Sequence, residues 1–335
     1  MPRRWTLHGL NNGTIFGLTR SGVTTLPRAV SYGIGSAGTW LAWRLMRQTR
    51  AAIADNLTAV FPNESRASLE QRARGVLRAY AYDVIDFIRA LAAPPETLDN
   101  VFEYRVQDAR MVVDLLAQGR GLILLSGHYG NWEAGGAFLR RVVHVPLTIM
   151  AKTEADPEVN RHRREIRELL GMESIEIGKS LDTALQIRRR LAENHVVAFL
   201  MDRHIGRDRV AVNFFGRQAW FLQTPVLMGF MTGAPLLPCF IERIGPSKFR
   251  VLATEPIIVR RDRPREQSIA EAAQTFATHL EARVRAHPNL WYHFYRYWDA
   301  QDAAAEPDGG GASQKSEVRS QKTSDEGESK IRHGF

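Results

Sequence analysis

The residues of this chain best suited to chemistry lie in one stretch, Leu122-Ile123-Leu124-Leu125-Ser126-Gly127-His128-Tyr129-Gly130-Asn131-Trp132-Glu133. A histidine oriented by a carboxylate is a general base: the acid fixes the tautomer and stabilises the imidazolium formed when a hydroxyl gives up its proton. The four apolar residues predict a buried strand, Ser126-Gly127 breaks it, and a helix is expected from Asn131. His128 then stands at the carboxyl end of a strand, where open α/β sheets bind their ligands. Residues five apart on one helix diverge by roughly 140°. His128 and Glu133 therefore meet only if His128 is on the loop and Glu133 is in the first helical turn, a bend that Gly127 and Gly130 permit. Two plainer readings stay open, with Glu133 as a first-turn acid stabilising the helix N-terminus and His128 as an ordinary loop residue. Leu124 stands where a Gly-x-Ser-x-Gly elbow centred on Ser126 needs its first glycine. The chemistry expected is thus direct attack of a hydroxyl on a thioester, with no acyl-enzyme.

The elements around this stretch alternate. Leu69, Ala73, Val76, Leu77, Tyr80, Val84, Phe87, Ile88 and Leu91 recur at helical spacing and predict an amphipathic helix over 65–92, ended by Ala93-Pro94-Pro95. Beyond residue 100, short apolar runs predict strands at 122–125, 147–151, 196–201, 236–241 and 249–253. Helical patterns fall at 108–118, 131–141, 157–170, 180–193, 225–232 and 268–286. This alternation predicts an α/β fold with a central, mostly parallel sheet flanked by helices, preceded by an N-terminal amphipathic helical segment. Thr224-Pro225 reads as an N-cap threonine followed by proline at the first helical position, with Gly233 closing that helix. Phe214-Phe215-Gly216 reads as a packed hairpin rather than the wall of a binding site. Cys239, the only cysteine, lies in an apolar run and reads as a buried strand residue. With one cysteine there is no internal disulfide and no cysteine-based zinc site.

The net charge of +9 is uneven. Residues 301–335 hold seven acids and five bases, leaving +11 on the first 300 residues. A body this basic is drawn to polyanions, either nucleic acid or an anionic membrane face. From Met1 to Ala54 there are seven arginines and no acid. No signal peptide is evident, and residues 22–46 are broken by Arg28 and several glycines, short of the roughly 20 apolar residues that a span requires. Trp40, Leu41, Trp43 and Leu45 beside Arg44, Arg47 and Arg50 suit an interfacial helix, the alternative being an arginine-decorated core helix. The expected organisation is a membrane-associating segment over 1–60, a catalytic α/β domain over 61–302 and a disordered polar tail over 303–335.

The ordered blocks along residues 24–300 resemble the bacterial lipid A lauroyl/myristoyl acyltransferase family, which includes the phosphatidylinositol mannoside acyltransferases. His128-Tyr129-Gly130-Asn131-Trp132-Glu133 is similar to that family's His-x4-Asp/Glu block. Asn56-Leu57 with Phe61-Pro62, Gly119-Arg120-Gly121, Met201-Asp202-Arg203, Phe214-Phe215-Gly216, Thr224-Pro225 and Thr232-Gly233-Ala234-Pro235 extend the likeness. The resemblance implies an O-acyltransferase with His128 as base and Glu133 as its partner. It leaves Asn131, Asp202, Arg203, Arg161 and Arg164 as candidate supporting or substrate-binding residues. Asp202 is read either as assisting His128 or as an ion-paired or helix-capping acid. Arg161 and Arg164 are read either as phosphate ligands or as a solvated face. The resemblance further implies acyl carrier protein or coenzyme A thioesters as donors, a membrane glycolipid acceptor, no cofactor, no metal and no nucleic acid. The expected location is the cytoplasmic face of the inner membrane, held peripherally or by a weak anchor.

Three other readings compete. A non-catalytic lipid-binding protein, or a nucleic-acid-binding module, would use the arginine-rich surface alone, but no nucleic-acid motif or aromatic stacking platform is present. A zinc hydrolase using His128, Glu133 and His204 lacks the one-turn ligand spacing of the usual zinc pair. The aromatic cluster Trp291, Tyr292, Phe294, Tyr295, Tyr297 and Trp298 suits either an interfacial belt or a packed C-terminal element.

Overall fold

The computed structural model describes residues 22–92, 100–151, 157–177 and 181–299. Prolines 94 and 95, the first 21 residues and the polar tail lie outside the described residues. Three helices come first: α1 (Arg28–Leu45), α2 (Arg47–Val60) and α3 (Arg66–Ala92). The α/β part follows as β1 (Phe102–Tyr104), α4 (Val106–Leu116), β2 (Leu122–Ser126), α5 (Trp132–Arg141), β3 (Leu147–Ala151), α6 (Pro157–Leu169), β4 (Glu173–Glu176), α7 (Leu181–Ala192) and β5 (Val196–Leu200). Next come β6 (Val210–Phe214), β7 (Arg217–Phe221), α8 (Thr224–Thr232), β8 (Leu236–Gly245), β9 (Lys248–Ala253) and α9 (Arg265–Ala286).

Seven strands form one sheet in the order β1-β9-β8-β2-β5-β3-β4, with only β8 and β9 antiparallel. Every residue of β2 is buried, as expected of a strand covered on both faces. Alternation divides its side chains between two cores: Ile123 and Leu125 join one, Leu122 and Leu124 the other. Strands β1 and β4 go beyond the sequence reading. They are three and four residues long with mostly exposed side chains, too short and polar to announce themselves.

Local signals place most boundaries. Ser65 Oγ accepts the Ser68 N–H at 3.3 Å and starts α3; Asn131 accepts the Ala134 N–H at 3.0 Å and caps α5. At α8 the sequence reading needs correction. Thr224 is the first helical residue rather than the cap, and the free N–H groups of Gln223 and Thr224 are taken by Asp208 Oδ1 at 3.1 and 2.9 Å. Gly233 does close the helix, with φ of 77°. Phe215 and Gly216, with φ of 55° and 73°, form the two-residue turn between β6 and β7 that suits the strand twist. Cys239 is buried in β8, and its burial pushes the thiol up to about 12.

Helix α2 packs into the same core as the sheet through Ile53, Ala54, Leu57 and Val60. Among the described residues no helix is long and apolar enough to cross a membrane. On α1, Val30, Ile34, Leu41 and Leu45 share one face at helical spacing and are 45%, 60%, 51% and 71% exposed. The C-terminal aromatic cluster is packed rather than displayed: Trp291, Tyr292, Tyr297 and Trp298 are all buried.

Candidate active site

Strand register builds the site. In the β2–β5 pair Ser126 lies opposite Leu200, and the Met201 N–H continues the ladder by donating to Ser126 O at 2.8 Å. Two residues further along each strand stand His128 and Asp202. His128 Nδ1 lies 2.7 Å from Asp202 Oδ1, and the His128 backbone N–H donates to both carboxylate oxygens at 3.0 and 2.9 Å. The approach is close enough that a Cβ on Gly127 would come within 3.3 Å of the Asp202 carboxyl carbon. Gly130 is under a harder constraint: φ is 60° and a Cβ would sit 1.8 Å from Ile241 O. Only glycine lets the chain turn there from the His128 loop into α5.

Asp202 is fully buried and serves a second imidazole, His293 Nε2, at 2.8 Å. Burial, with the Arg203 charge adding to it, pushes His293 down to about 3 despite the neighbouring carboxylate. His293 is therefore neutral. Because a carboxylate only accepts, its one N–H must be at Nε2, leaving Nδ1 as acceptor beside the Tyr295 hydroxyl at 3.3 Å. Burial alone would raise the Asp202 carboxyl. The His128 charge and the hydrogen bonds from His128 and His293 overcome this and hold it well below the usual carboxylate range. An ionised Asp202 fixes the Nδ1–H tautomer of His128, so the lone pair of the neutral ring is at Nε2.

The segment carrying His293 is tied down from several directions. The Tyr292 N–H donates to His128 O at 2.8 Å, and the Tyr297 hydroxyl donates to Asp202 O at 2.7 Å. Buried Asn56 on α2 donates to His293 O and Tyr295 O at 3.2 and 2.6 Å and accepts the Tyr297 N–H at 2.8 Å. The sequence reading noted Asn56 only as part of a block and did not single out His293. Polar residues inside an aromatic run that otherwise reads as core were the available signal.

The carboxylate at His128 Nδ1 is thus Asp202, which the sequence reading offered as one that assists His128, while it expected Glu133 as the partner. Glu133 stands in the first turn of α5 as anticipated and lines the same cavity, and its Oε1 lies 3.5 Å from Arg167 Nη2. Asn131 caps the helix and donates to Asp83 O at 3.1 Å. Arg203 donates to Tyr292 O at 3.0 Å and lies over the Tyr295 ring. Arg161 and Arg164 are 60% and 64% exposed, beside Glu165 and Glu176 at 3.8 Å each. Neither lines the cavity; Arg167, one helical turn further along, does.

The cavity has a volume of about 480 Å³ and runs between the sheet and α5. His128, Glu133, Arg167 and Arg203 are among its polar lining, which also includes Asp108, Ser126 and His204, and Leu124, Ile149, Ala198, Leu200, Phe138 and Val251 are among its apolar walls. A slot with apolar walls and a base at its polar part has the lining that suits an apolar ligand with a polar reactive end. Among the described residues His128, Asp202 and His293 have ligand-type atoms within 4.8 Å of one another. Their 2.7 and 2.8 Å contacts are hydrogen-bond distances, the geometry of an acid that orients one imidazole and is held in place by another.

The chain is 26% identical over 289 residues to a phosphatidylinositol mannoside acyltransferase of Mycolicibacterium smegmatis, covering 83% of this chain and 88% of that protein. It is 27% identical over 186 residues to one from Mycobacterium tuberculosis, covering 55% and 56% of the two chains. Residues 8–300 match the family described as bacterial lipid A biosynthesis acyltransferase. With the match spanning most of its length, this chain belongs to the bacterial lipid A biosynthesis acyltransferase family and is an O-acyltransferase.

Proposed function

We propose that the enzyme moves a fatty acyl chain from an acyl thioester, of acyl carrier protein or coenzyme A, to a hydroxyl of a membrane glycolipid. The observation that carries this reading is a buried-acid-oriented histidine in an apolar cavity, His128 Nδ1 on Asp202 at 2.7 Å. The acceptor hydroxyl attacks the thioester carbonyl carbon while His128 Nε2 takes its proton. The C–S bond then breaks, and the imidazolium returns that proton to the departing sulfur. The products are an ester and a free thiol, with no acyl-enzyme. Asp202 offsets the charge that His128 gains. Glu133 and Arg167 act at the same cavity, the guanidinium favouring negative charge on the carbonyl oxygen. Two relatives are named phosphatidylinositol mannoside acyltransferases, which favours a glycolipid acceptor of that general kind.

The enzyme works at the cytoplasmic face of the inner membrane, docked by the exposed apolar stripe of α1 and its arginines. A lipid acceptor is then met at the surface and need not be extracted into water. Comparing lipid extracts of a deletion strain and its parent by mass spectrometry tests the assignment. A glycolipid lacking one acyl chain, restored by the wild-type gene and not by His128→Ala, is the expected result. An unchanged lipid profile, or full transfer by purified and folded His128→Ala, would overturn it.

A further inference from the structure

Beyond the active site, a second concave surface runs between α1 and α3. One cavity of about 720 Å³ is lined by Ser36, Thr39, Trp40, Trp43 and Arg44 of α1 and by residues of α3 that include Arg72, Arg74 and Arg78. A neighbouring cavity of about 540 Å³ shares Arg72, Gly75 and Arg78 and extends to Arg243. Together they make one groove, and among the described residues no Asp or Glu lines it.

The arginines fall into two kinds. Arg72 is paired with Glu64 at 2.6 Å and Arg243 with Asp86 at 3.0 Å. Arg44, Arg74 and Arg78 face no carboxylate among the described residues. Arg44 instead lies over the Trp40 ring and Arg74 over Trp43, which orients both guanidinium groups without neutralising them. Arg74 and Arg78 are also one turn apart on α3, a like-charge spacing that costs stability in the free protein. Planar guanidinium groups converging on a groove without acids match a phosphate.

We propose that this groove binds the phosphodiester headgroup of an anionic phospholipid in the bilayer, at a site separate from the acceptor. A lipid is favoured over an acidic protein by what borders the groove. Trp40, 60% exposed, sits at its edge, and the same helix carries the exposed stripe Val30, Ile34, Leu41 and Leu45. A headgroup held by Arg44, Arg74 and Arg78 leaves its acyl chains to lie along that apolar face. The opposite face of α3 reaches the acyl cavity through Tyr80, so a headgroup in the groove sets the height of the catalytic site above the membrane plane. The site rests on the docking of α1 proposed above.

The test uses the full chain, with short-chain lipids in solution and with vesicles. Titration calorimetry with dihexanoyl phosphatidylglycerol, kept below its micellar concentration, should give one saturable site that dihexanoyl phosphatidylcholine does not fill. Arg74→Gln/Arg78→Gln should weaken it by about tenfold or more, as two charge-assisted contacts imply. A charge-matched control on exposed residues of α4 and α7, Arg110→Gln/Arg188→Gln, should leave it unchanged. Unaltered phosphatidylglycerol binding by Arg74→Gln/Arg78→Gln would overturn the groove site. So would inorganic phosphate competing as well as the lipid, or loss of acyl carrier protein binding with lipid binding intact. Sedimentation with phosphatidylcholine/phosphatidylglycerol vesicles separates the two readings. Leu41→Ser/Leu45→Ser should abolish vesicle binding while short-chain phosphatidylglycerol still binds, whereas vesicle binding that survives it would overturn the docking on which the groove site rests.

Discussion

Replacing Asp202 by asparagine removes one charge at almost constant volume, and the structure says where that charge is felt. The carboxylate accepts from the His128 backbone N–H, His128 Nδ1 and His293 Nε2. An asparagine must turn its NH2 toward one of these donors. His293 has an escape, because its proton can move to Nδ1 beside the Tyr295 hydroxyl at 3.3 Å. The fold should therefore survive with the amide oxygen on His128. The imidazolium that forms in the transition state then meets a neutral oxygen in place of a buried anion at 2.7 Å. Losing a charge-assisted hydrogen bond and its buried Coulomb attraction costs about 3–5 kcal/mol of transition-state stabilisation, or about 10²–10⁴-fold in kcat. The assay is the initial rate of transfer from a purified acyl thioester to acceptor lipid in mixed micelles, with circular dichroism on the same preparations. The loss should fall on kcat, with KM little changed. If folded Asp202→Asn kept near wild-type turnover while Glu133→Gln were inactive, the orienting acid would be Glu133 and the role given to Asp202 would fail.

Asp83 offers a stability test. Burial pushes its carboxyl up to about 7, against the Tyr292 hydroxyl at 2.5 Å and the Arg243 charge. The folded state therefore holds a proton that the unfolded state has already released, between pH about 4 and about 7, and stability falls across that window as pH rises. Asp83→Asn should gain on the wild type in thermal melts as pH rises from 5 to 7, by at most about 1.4 kcal/mol per unit, and the gain should level off above that; a constant difference from pH 5 to pH 7 would contradict the assignment. Asn56→Ala leaves three backbone groups of the His293 segment without their partner and should cost about 3 kcal/mol or more in urea unfolding, with turnover falling as His293 loosens. Ala198→Leu narrows the cavity that Ala198 lines, where the acyl chain is proposed to lie. The longest acyl donor that the wild type accepts should then be used about 10–200-fold less well in a donor-length series, with shorter chains unaffected.

How much of this protein its sequence determines by itself follows from the range of the forces involved. Periodicity and caps act over a few residues, so α3, α5, β2, β3 and the burial of Cys239 were all legible, as was a histidine on the loop after a buried strand. Asp202 was legible only as one of two readings, an acid assisting His128 or an ion-paired or helix-capping one, and His293 was not legible at all. Asp202 is 74 positions away and His293 is 91 positions beyond Asp202. They meet because β2 lies beside β5 with Ser126 opposite Leu200, and because the packed C-terminal aromatic run returns under the loop. Strand order and register are collective properties of the whole sheet, and a slip of one residue would turn every side chain to the other face. Glu133 was legible as an acid near His128 in the chain. Only the tertiary structure decided that Asp202 is the acid at Nδ1, because a buried carboxylate goes where donors converge, and three of them converge there.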